Sequence, residues 1–235
     1  MSPRDVIIAA DFPNESALDA FLDKIPGQKP YFKVGMELFY GAGPSLVRKL
    51  KDAGYSVFLD LKLHDIPNTV GSAMSVLSNL NADMVNLHAA GGSEMMKRAL
   101  EGLTRPDGTR PLLIAVTQLT STSQNMLESE LLIKEPVDQV VAHYASVAQG
   151  SGLDGVVCSP REVEIVKSMC GEGFLTVTPG IRPTDSAVQD QVRIATPEGA
   201  RIAGSDYIVV GRPITAAPDP LSAYLKIKSD FLGEE

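Results

Sequence analysis

The sequence predicts an α/β protein folded as a (β/α)8 barrel, the TIM-barrel class. Eight short apolar segments rich in β-branched residues alternate with eight amphipathic segments along 235 residues. Nearly continuous apolar character is typical of strands that are buried on both faces of a parallel sheet. Eight such strands, each followed by a helix, match a closed barrel in a chain of this length. We therefore expect residues 1–235 to form a single barrel domain.

The predicted elements follow one another without an interruption that would mark a domain linker. Strands are predicted at residues 6–10, 31–34, 56–61, 84–87, 111–116, 155–158, 174–177 and 207–210. Helices are predicted at residues 15–24, 44–53, 70–80, 93–103, 137–149, 161–169, 197–203 and 221–231. The helix-end signals are the candidate N-caps Asn14 and Ser93, the first-turn prolines Pro44, Pro136 and Pro197, and Gly54 after a helix.

An open, doubly wound sheet is the alternative fold. It usually has fewer strands and a glycine-rich loop after the first strand, whereas residues 11–14 contain no glycine. Two predicted connections are long, at residues 118–135 and 179–196. Long loops after barrel strands are candidates for lids over an active site.

Composition excludes several classes of protein. With 21 Lys and Arg against 29 Asp and Glu, the net charge is −8, which argues against a protein that coats nucleic acid. No apolar run approaches the roughly 18 residues of a membrane span. The first residues lead into a predicted strand without a signal-peptide pattern, so we expect a cytoplasmic protein. Two cysteines, Cys158 and Cys170, are too few for a disulfide framework.

Charged residues gather where the first three predicted strands end. Asp11 follows the first strand, Lys33 lies in the second, and Asp60 and Lys62 end the third. Residues two apart in a strand point to the same side, so we expect Asp60 and Lys62 to meet, with Lys33 beside them. A single structural salt bridge is the alternative interpretation. Alternating charges at one barrel mouth favour an active site, because each charge keeps its neighbour ionised.

The last two strand ends indicate a phosphate site. Gly211 and Arg212 follow the eighth predicted strand, and Arg182 follows the seventh. Barrels commonly bind phosphate with these two loops. A glycine lets backbone N–H groups approach an anion, and an arginine binds it through two parallel hydrogen bonds.

These motifs resemble the orotidine 5′-monophosphate decarboxylase family. The main signature is Asp60-Leu61-Lys62-Leu63-His64-Asp65-Ile66-Pro67-Asn68-Thr69. Further matches are Asp11-Phe12, Lys33-Val34-Gly35, Leu119-Thr120-Ser121, Thr178-Pro179-Gly180-Ile181-Arg182 and Val210-Gly211-Arg212. Gln191 falls where the family has a glutamine that contacts phosphate. The length is similar to that of the bacterial, monofunctional branch.

The resemblance implies loss of CO₂ from orotidine 5′-monophosphate, which yields uridine 5′-monophosphate without a metal or cofactor. It implies that Lys62 donates the proton, that Asp60 and Lys33 complete the charged array, and that Asp11 binds the ribose. Asp65 and Thr69 are expected to reach the active site of the other subunit of a homodimer, and Ile66 is expected to bind the substrate. Thr120 is expected near the base or the lid loop. The residues expected to hold the phosphate and the pyrimidine edge are Pro179, Arg182, Gln191, Gly211 and Arg212.

Two other functions stay open at this point. Metal-dependent sugar-phosphate barrels, such as ribulose-phosphate epimerase, gather Asp and His around a divalent ion, and Asp11, Asp60, His64 and His88 are residues of that kind. Two lysine ammoniums beside that ion would repel it, although keto-gulonate phosphate decarboxylases keep an Asp-x-Lys pair with magnesium. A UMP-binding regulatory protein without catalysis is the other possibility. It would have no need of a proton donor.

Overall fold

The eight predicted strands are all present, and they close into one parallel barrel in chain order, with β8 beside β1. The computed structural model describes residues 4–183 and 195–234. The strands are β1 (Asp5–Ala9), β2 (Tyr31–Gly35), β3 (Ser56–Leu63), β4 (Met84–His88), β5 (Leu112–Val116), β6 (Gly155–Val157), β7 (Leu175–Thr178) and β8 (Tyr207–Val210). The predicted fold class is confirmed.

Helices connect successive strands and cover the outside of the barrel. They are α1 (Glu15–Leu22), α2 (Met36–Ala42), α3 (Pro44–Asp52), α4 (Pro67–Ser78), α5 (Gly92–Leu103), α6 (Gln124–Ser129), α7 (Val137–Gly150), α8 (Val163–Cys170), α9 (Pro197–Ala203), α10 (Arg212–Thr215) and α11 (Pro220–Leu232). Among the described residues the longest is α7, with 14 residues, and no helix is long and apolar enough to cross a membrane.

The helix signals were mostly confirmed. The side chain of Asn14 accepts a hydrogen bond from the backbone of Ala17 (2.9 Å), Pro44 and Pro197 begin their helices, and Gly54 has a positive φ of 85° after α3. The prediction of Ser93 as an N-cap was wrong, because a 3₁₀ turn at Ala89–Gly91 leads directly into α5, which already begins at Gly92.

The helices depart from the sequence prediction in three additional short helices and, by more than two residues, in the start of one predicted helix. The helices α2, α6 and α10 were not predicted, since each has seven residues or fewer and so shows little amphipathic periodicity. Helix α6 lies within residues 118–135, which we predicted as one long loop. Helix α4 begins at Pro67, three residues before the predicted start, because proline suits the first position of a helix.

Buried side chains form two layers, one inside the barrel and one between the barrel and the helices. Inside the barrel, Phe58 and Met84 pack with Tyr31 and Tyr207, and the two tyrosine rings meet edge to face at 6.0 Å. Outside it, α4 and α5 approach so closely that a Cβ at Gly102 would lie 2.0 Å from the carbonyl oxygen of Gly71. This packed interior directs polar side chains to the two ends of the barrel.

Three aspartates link neighbouring strands through hydrogen bonds at the N-terminal end of the barrel. Each stands at the start of an even-numbered strand, accepts a backbone hydrogen bond from the preceding strand, and pairs with a cation. Asp83 accepts from Val57 N (2.7 Å) and pairs with Lys51. Asp154 accepts from Leu113 N (2.7 Å) and pairs with Arg110. Asp206 accepts from Thr176 N (2.8 Å) and pairs with Lys167. These charges serve the fold, because barrel chemistry is located at the opposite end.

Candidate active site

An alternating row of four charges lies at the C-terminal ends of β1, β2 and β3. The Nζ atom of Lys33 is 2.9 Å from Oδ1 of Asp11 and 3.4 Å from Oδ2 of Asp60. The Nζ atom of Lys62 is 2.6 Å from the other oxygen of Asp60. Each oxygen of the Asp60 carboxylate therefore faces its own ammonium. The convergence that we predicted from strand spacing is confirmed.

The backbone at Lys62 departs from a regular strand. Its φ is +51°, a left-handed conformation that is uncommon for a residue with a side chain. The pairing of β3 with β4 changes register between Leu59 and Leu63. Lys62 therefore meets Asp60 as expected, but across a local irregularity in β3 that the alternation of side chains along a regular strand does not predict.

Sequence reasoning missed Asn86 in β4. Its Nδ2 donates to Oδ1 of Asp60 (2.6 Å), and its Oδ1 accepts the backbone N–H of Lys62 (2.8 Å). The available signal was an amide side chain in the middle of an apolar strand, where an unpaired polar group would be costly. A buried strand with one polar residue is a reason to expect a partner on the neighbouring strand.

Electrostatic coupling keeps the Asp60 carboxylate and the Lys33 ammonium ionised. Burial alone would raise the pKa of the Asp60 carboxyl, but Lys33 and Lys62 outweigh burial and hold that pKa below its usual value. Burial alone would lower the pKa of Lys33, but Asp60 and Asp11 outweigh burial and raise it. Carboxylate and ammonium therefore both stay charged at neutral pH.

Two adjoining cavities open at this end of the barrel. The first, of about 220 Å³, has a charged wall of Lys33, Asp60 and Lys62 and an apolar wall of barrel side chains, namely Phe58, Val116, Val157 and Val209. Thr120 lines this cavity too. The second, of about 430 Å³, is lined by the predicted phosphate residues Arg182, Gly211 and Arg212, together with Asp11. Lys33, Pro179 and Val209 line both cavities.

Three predicted site residues lie outside these cavities. Asp65, Ile66 and Thr69 are exposed after the end of β3, and Ile66 is 66% exposed. The Asp65 carboxylate accepts the backbone N–H of Ile66 (2.6 Å). The structure therefore does not bring these residues to the Lys62 cavity of their own chain. Gln191 lies outside the described residues, as does most of the predicted loop at residues 179–196.

Two of the three histidines form a separate pair beside the charged row. The rings of His64 and His88 are 5.7 Å apart, and burial, followed by the influence of His64 and Lys62, lowers the pKa of His88. Within residues 4–183 and 195–234, no three His, Cys, Asp or Glu side chains are grouped so that they could hold a metal ion. The oxygens of Asp60 instead face lysine ammoniums.

A closed parallel barrel with charged side chains and adjoining cavities at the C-terminal ends of its strands defines the class of (β/α)8-barrel enzymes. Within that class, the chain belongs to the orotidine 5′-phosphate decarboxylase / HUMPS family, whose model matches residues 4–227. The family predicted from the sequence motifs is confirmed.

Similar proteins span nearly the whole chain. The orotidine 5′-phosphate decarboxylase of Staphylococcus saprophyticus is 56% identical over 230 residues, 97% of this chain and 98% of its own. That of Bacillus cytotoxicus is 54% identical over 233 residues, 98% of each chain. The crystal structure of orotidine 5′-phosphate decarboxylase from Lactobacillus acidophilus is 46% identical, covers 97% of this chain and 99% of its own, and superposes with a TM-score of 0.87.

Proposed function

We propose that this protein is a carboxy-lyase that converts orotidine 5′-monophosphate to uridine 5′-monophosphate and CO₂, the last step of UMP synthesis. One observation carries the proposal: a buried carboxylate, Asp60, is flanked by the ammoniums of Lys33 and Lys62 at the wall of a partly apolar cavity. Family membership and the similar decarboxylases support the same reaction.

The array meets the chemical demand of this reaction. When the bond from C6 to the carboxylate breaks, the electron pair stays on C6 in the plane of the ring, where the π system does not delocalise it. The Lys62 ammonium stabilises that charge and then transfers a proton from Nζ to C6. Lys62 regains its proton from solvent after CO₂ leaves. Preorganised charge in a site with an apolar wall is an effective form of transition-state stabilisation.

Asp60 and Lys33 hold the proton donor in place. We infer that Asp60 orients the Lys62 ammonium through the 2.6 Å contact, and that its charge also lies near the substrate carboxylate. Lys33 joins Asp60 to Asp11. Asp11 lines the second cavity, and we propose that it accepts hydrogen bonds from the ribose hydroxyls.

The second cavity is the proposed phosphate site. Arg182 and Arg212 supply cationic hydrogen-bond donors, and Gly211 leaves the backbone open to an anion. Gln191 is proposed as a further phosphate contact. Thr120 and Pro179 border the first cavity and are proposed to contact the pyrimidine.

We further propose a homodimer with shared active sites, in which Asp65, Ile66 and Thr69 enter the partner's cavity. Their exposure directly after the catalytic strand supports this arrangement. Two separately inactive variants, Lys62→Ala and Asp65→Ala, should regain activity when mixed, because a mixed dimer has one site with both defects and one with neither. If the subunits exchange and no activity returns, Asp65 acts within its own chain.

A spectrophotometric assay with orotidine 5′-monophosphate tests the reaction itself. Wild-type protein should deplete the substrate's ultraviolet absorbance, and Lys62→Ala should lose many orders of magnitude in turnover while staying folded. Lys49→Ala, which alters an exposed lysine paired with Glu15 and Asp19, is the matched control and should keep full activity. A Lys62→Ala variant that retains a tenth of the activity would exclude Lys62 as the proton donor.

The same assay separates the alternatives. Activity should survive dialysis against EDTA, because we propose catalysis without a metal or cofactor. Loss on chelation and recovery with Mg²⁺ would favour a metal-dependent barrel enzyme, and UMP binding without turnover would indicate a regulatory protein. We also propose that the chain forms a single barrel domain and acts in the cytoplasm on a small molecule. Its net charge of −8 argues against a nucleic acid polymer as a partner.

A further inference from the structure

Asn86 is a buried polar residue without an assigned role. It lies in the middle of β4, is 1% exposed, and borders the first cavity. Its neighbours along the strand, Val85 and Leu87, are fully buried apolar residues. Burying an amide among such residues is costly unless both its donor and its acceptor are paired. Both ends of the Asn86 amide are paired, and both partners belong to the same short segment of β3.

The two hydrogen bonds have different functions in β3. The Asn86 carbonyl oxygen accepts the backbone N–H of Lys62 at 2.8 Å, at the point where β3 changes register against β4. Lys62 is held there with a φ of +51°, which a residue with a side chain adopts only when its surroundings impose it. The Asn86 amide nitrogen donates at 2.6 Å to the same Asp60 oxygen that contacts the Lys62 ammonium.

We propose that Asn86 is a positioning residue for the decarboxylation, an inference that rests on the function proposed above. One amide holds the backbone of Lys62 with its oxygen and the carboxylate of Asp60 with its nitrogen. It thereby sets where the Lys62 ammonium stands relative to the substrate. A neutral amide suits this place because it adds a donor to Asp60 without adding charge to the alternating row of Asp11, Lys33, Asp60 and Lys62.

Two substitutions at Asn86 affect its two hydrogen bonds differently. Asn86→Leu removes both while keeping the same branched side-chain shape, and Asn86→Asp keeps an acceptor for Lys62 N–H but places a second carboxyl group against Asp60. Asn86→Leu should lower kcat by about a hundredfold with a much smaller change in KM, because a misplacement of about 1 Å costs that much. Thr117→Val is the matched control. Thr117 is also buried and hydrogen-bonded, to the carbonyl of Val157 at 2.8 Å, and its variant should keep kcat within a few-fold of wild type.

The Asn86→Asp variant should show a new pH dependence. Two carboxyl groups in contact share a proton, and the protonated Asp side chain would donate to Asp60 as the amide does. Lys33, Lys62 and His88 are the other titratable groups near this position, and they are also present in the wild type. The ratio of variant to wild-type kcat should therefore fall as pH rises and the shared proton is lost. A merely structural role for Asn86 predicts instead that the loss of kcat in both variants follows their loss of thermal stability.

Kinetics with orotidine 5′-monophosphate between pH 5 and 9, with thermal unfolding of each variant, decide the inference. A folded Asn86→Leu variant with wild-type kcat, or an Asn86→Asp loss that is equal at every pH, would overturn the positioning role alone. If Asn86→Leu does not fold, the pH profile of Asn86→Asp decides. Wild-type protein that does not decarboxylate the substrate would overturn the proposed function, and the role of Asn86 with it.

Discussion

Replacing Lys167 with methionine tests whether the charges at the N-terminal end of the barrel serve stability and not catalysis. The side chains of Lys167 and Asp206 are 7% and 5% exposed, and their charged atoms are 2.7 Å apart. Lys167 also donates to the carbonyls of Glu172 (3.0 Å) and Phe174 (2.9 Å). Methionine has a similar length, so the substitution removes a charge and three hydrogen bonds without opening a large cavity.

The size of the effect follows from the charge that is left behind. Removing one partner of a buried ion pair costs about 3–5 kcal/mol, because the other charge stays buried and uncompensated. Asp206 keeps the hydrogen bonds from the backbone and hydroxyl of Thr176, at 2.8 and 3.1 Å, so we expect the lower end, about 3 kcal/mol. At roughly 2–4 °C per kcal/mol for a chain of this size, Tm should fall by about 6–12 °C.

Urea denaturation measures this loss, and Lys49→Met is the matched control. Lys49 contacts two carboxylates at similar distances, 2.7 and 2.8 Å, but it is exposed, so its loss should cost under about 1 kcal/mol. Adding Asp206→Asn to Lys167→Met should recover part of the stability, since the buried charge is then removed. The folded Lys167→Met variant should keep wild-type kcat/KM at 25 °C. If Lys167→Met lost no more free energy of unfolding than Lys49→Met, a stabilising role for the buried ion pair would be refuted.

Three further substitutions test the phosphate site, a helix contact and a buried hydroxyl. Arg212→Ala should remove roughly 3–5 kcal/mol of transition-state stabilisation with orotidine 5′-monophosphate, measured as a lower kcat/KM. The same substitution should leave turnover of orotidine, which has no phosphate, almost unchanged. Equal losses with both substrates would contradict a phosphate contact. Gly102→Ala should cost at least about 1–3 kcal/mol of stability in thermal melts, because its Cβ would meet the carbonyl of Gly71. Gly150→Ala is the control, because there is open space around Gly150, and it should be neutral or stabilising in the same melts. Tyr31→Phe should stabilise by about 1 kcal/mol, because the buried hydroxyl of Tyr31 has no hydrogen-bond partner among the described residues. Burial and nearby carboxylates raise the pKa of Tyr31, so above about pH 10 only the unfolded chain loses the phenol proton. The wild type should therefore be less stable at about pH 10.5 than at about pH 8 in urea titrations. Tyr31→Phe should not show this loss of stability.

Most of the active-site geometry could be predicted from strand order alone. In a parallel barrel all C-terminal strand ends lie on one face, so charged residues that end successive apolar runs must meet there. This is why Asp11, Lys33, Asp60 and Lys62 were assigned to one site and were found within 3.4 Å of their partners. Short, nearly continuous apolar runs also predicted every strand, because a strand that is buried on both faces carries apolar residues at successive positions.

The parts that could not be predicted depend on contacts between distant residues. Short helices such as α6 carry too few turns to show a periodic pattern, so the surrounding structure decides whether they form. The left-handed backbone of Lys62 lies where β3 changes register against β4, and its N–H donates to the amide oxygen of Asn86, 24 residues later in the chain. Sequence by itself determined which strand ends carry charge, since hydrophobic pattern and strand direction are local properties. Only the tertiary structure decided how the lysine is held, since strand register and a side-chain bond across strands exist only once the barrel has closed.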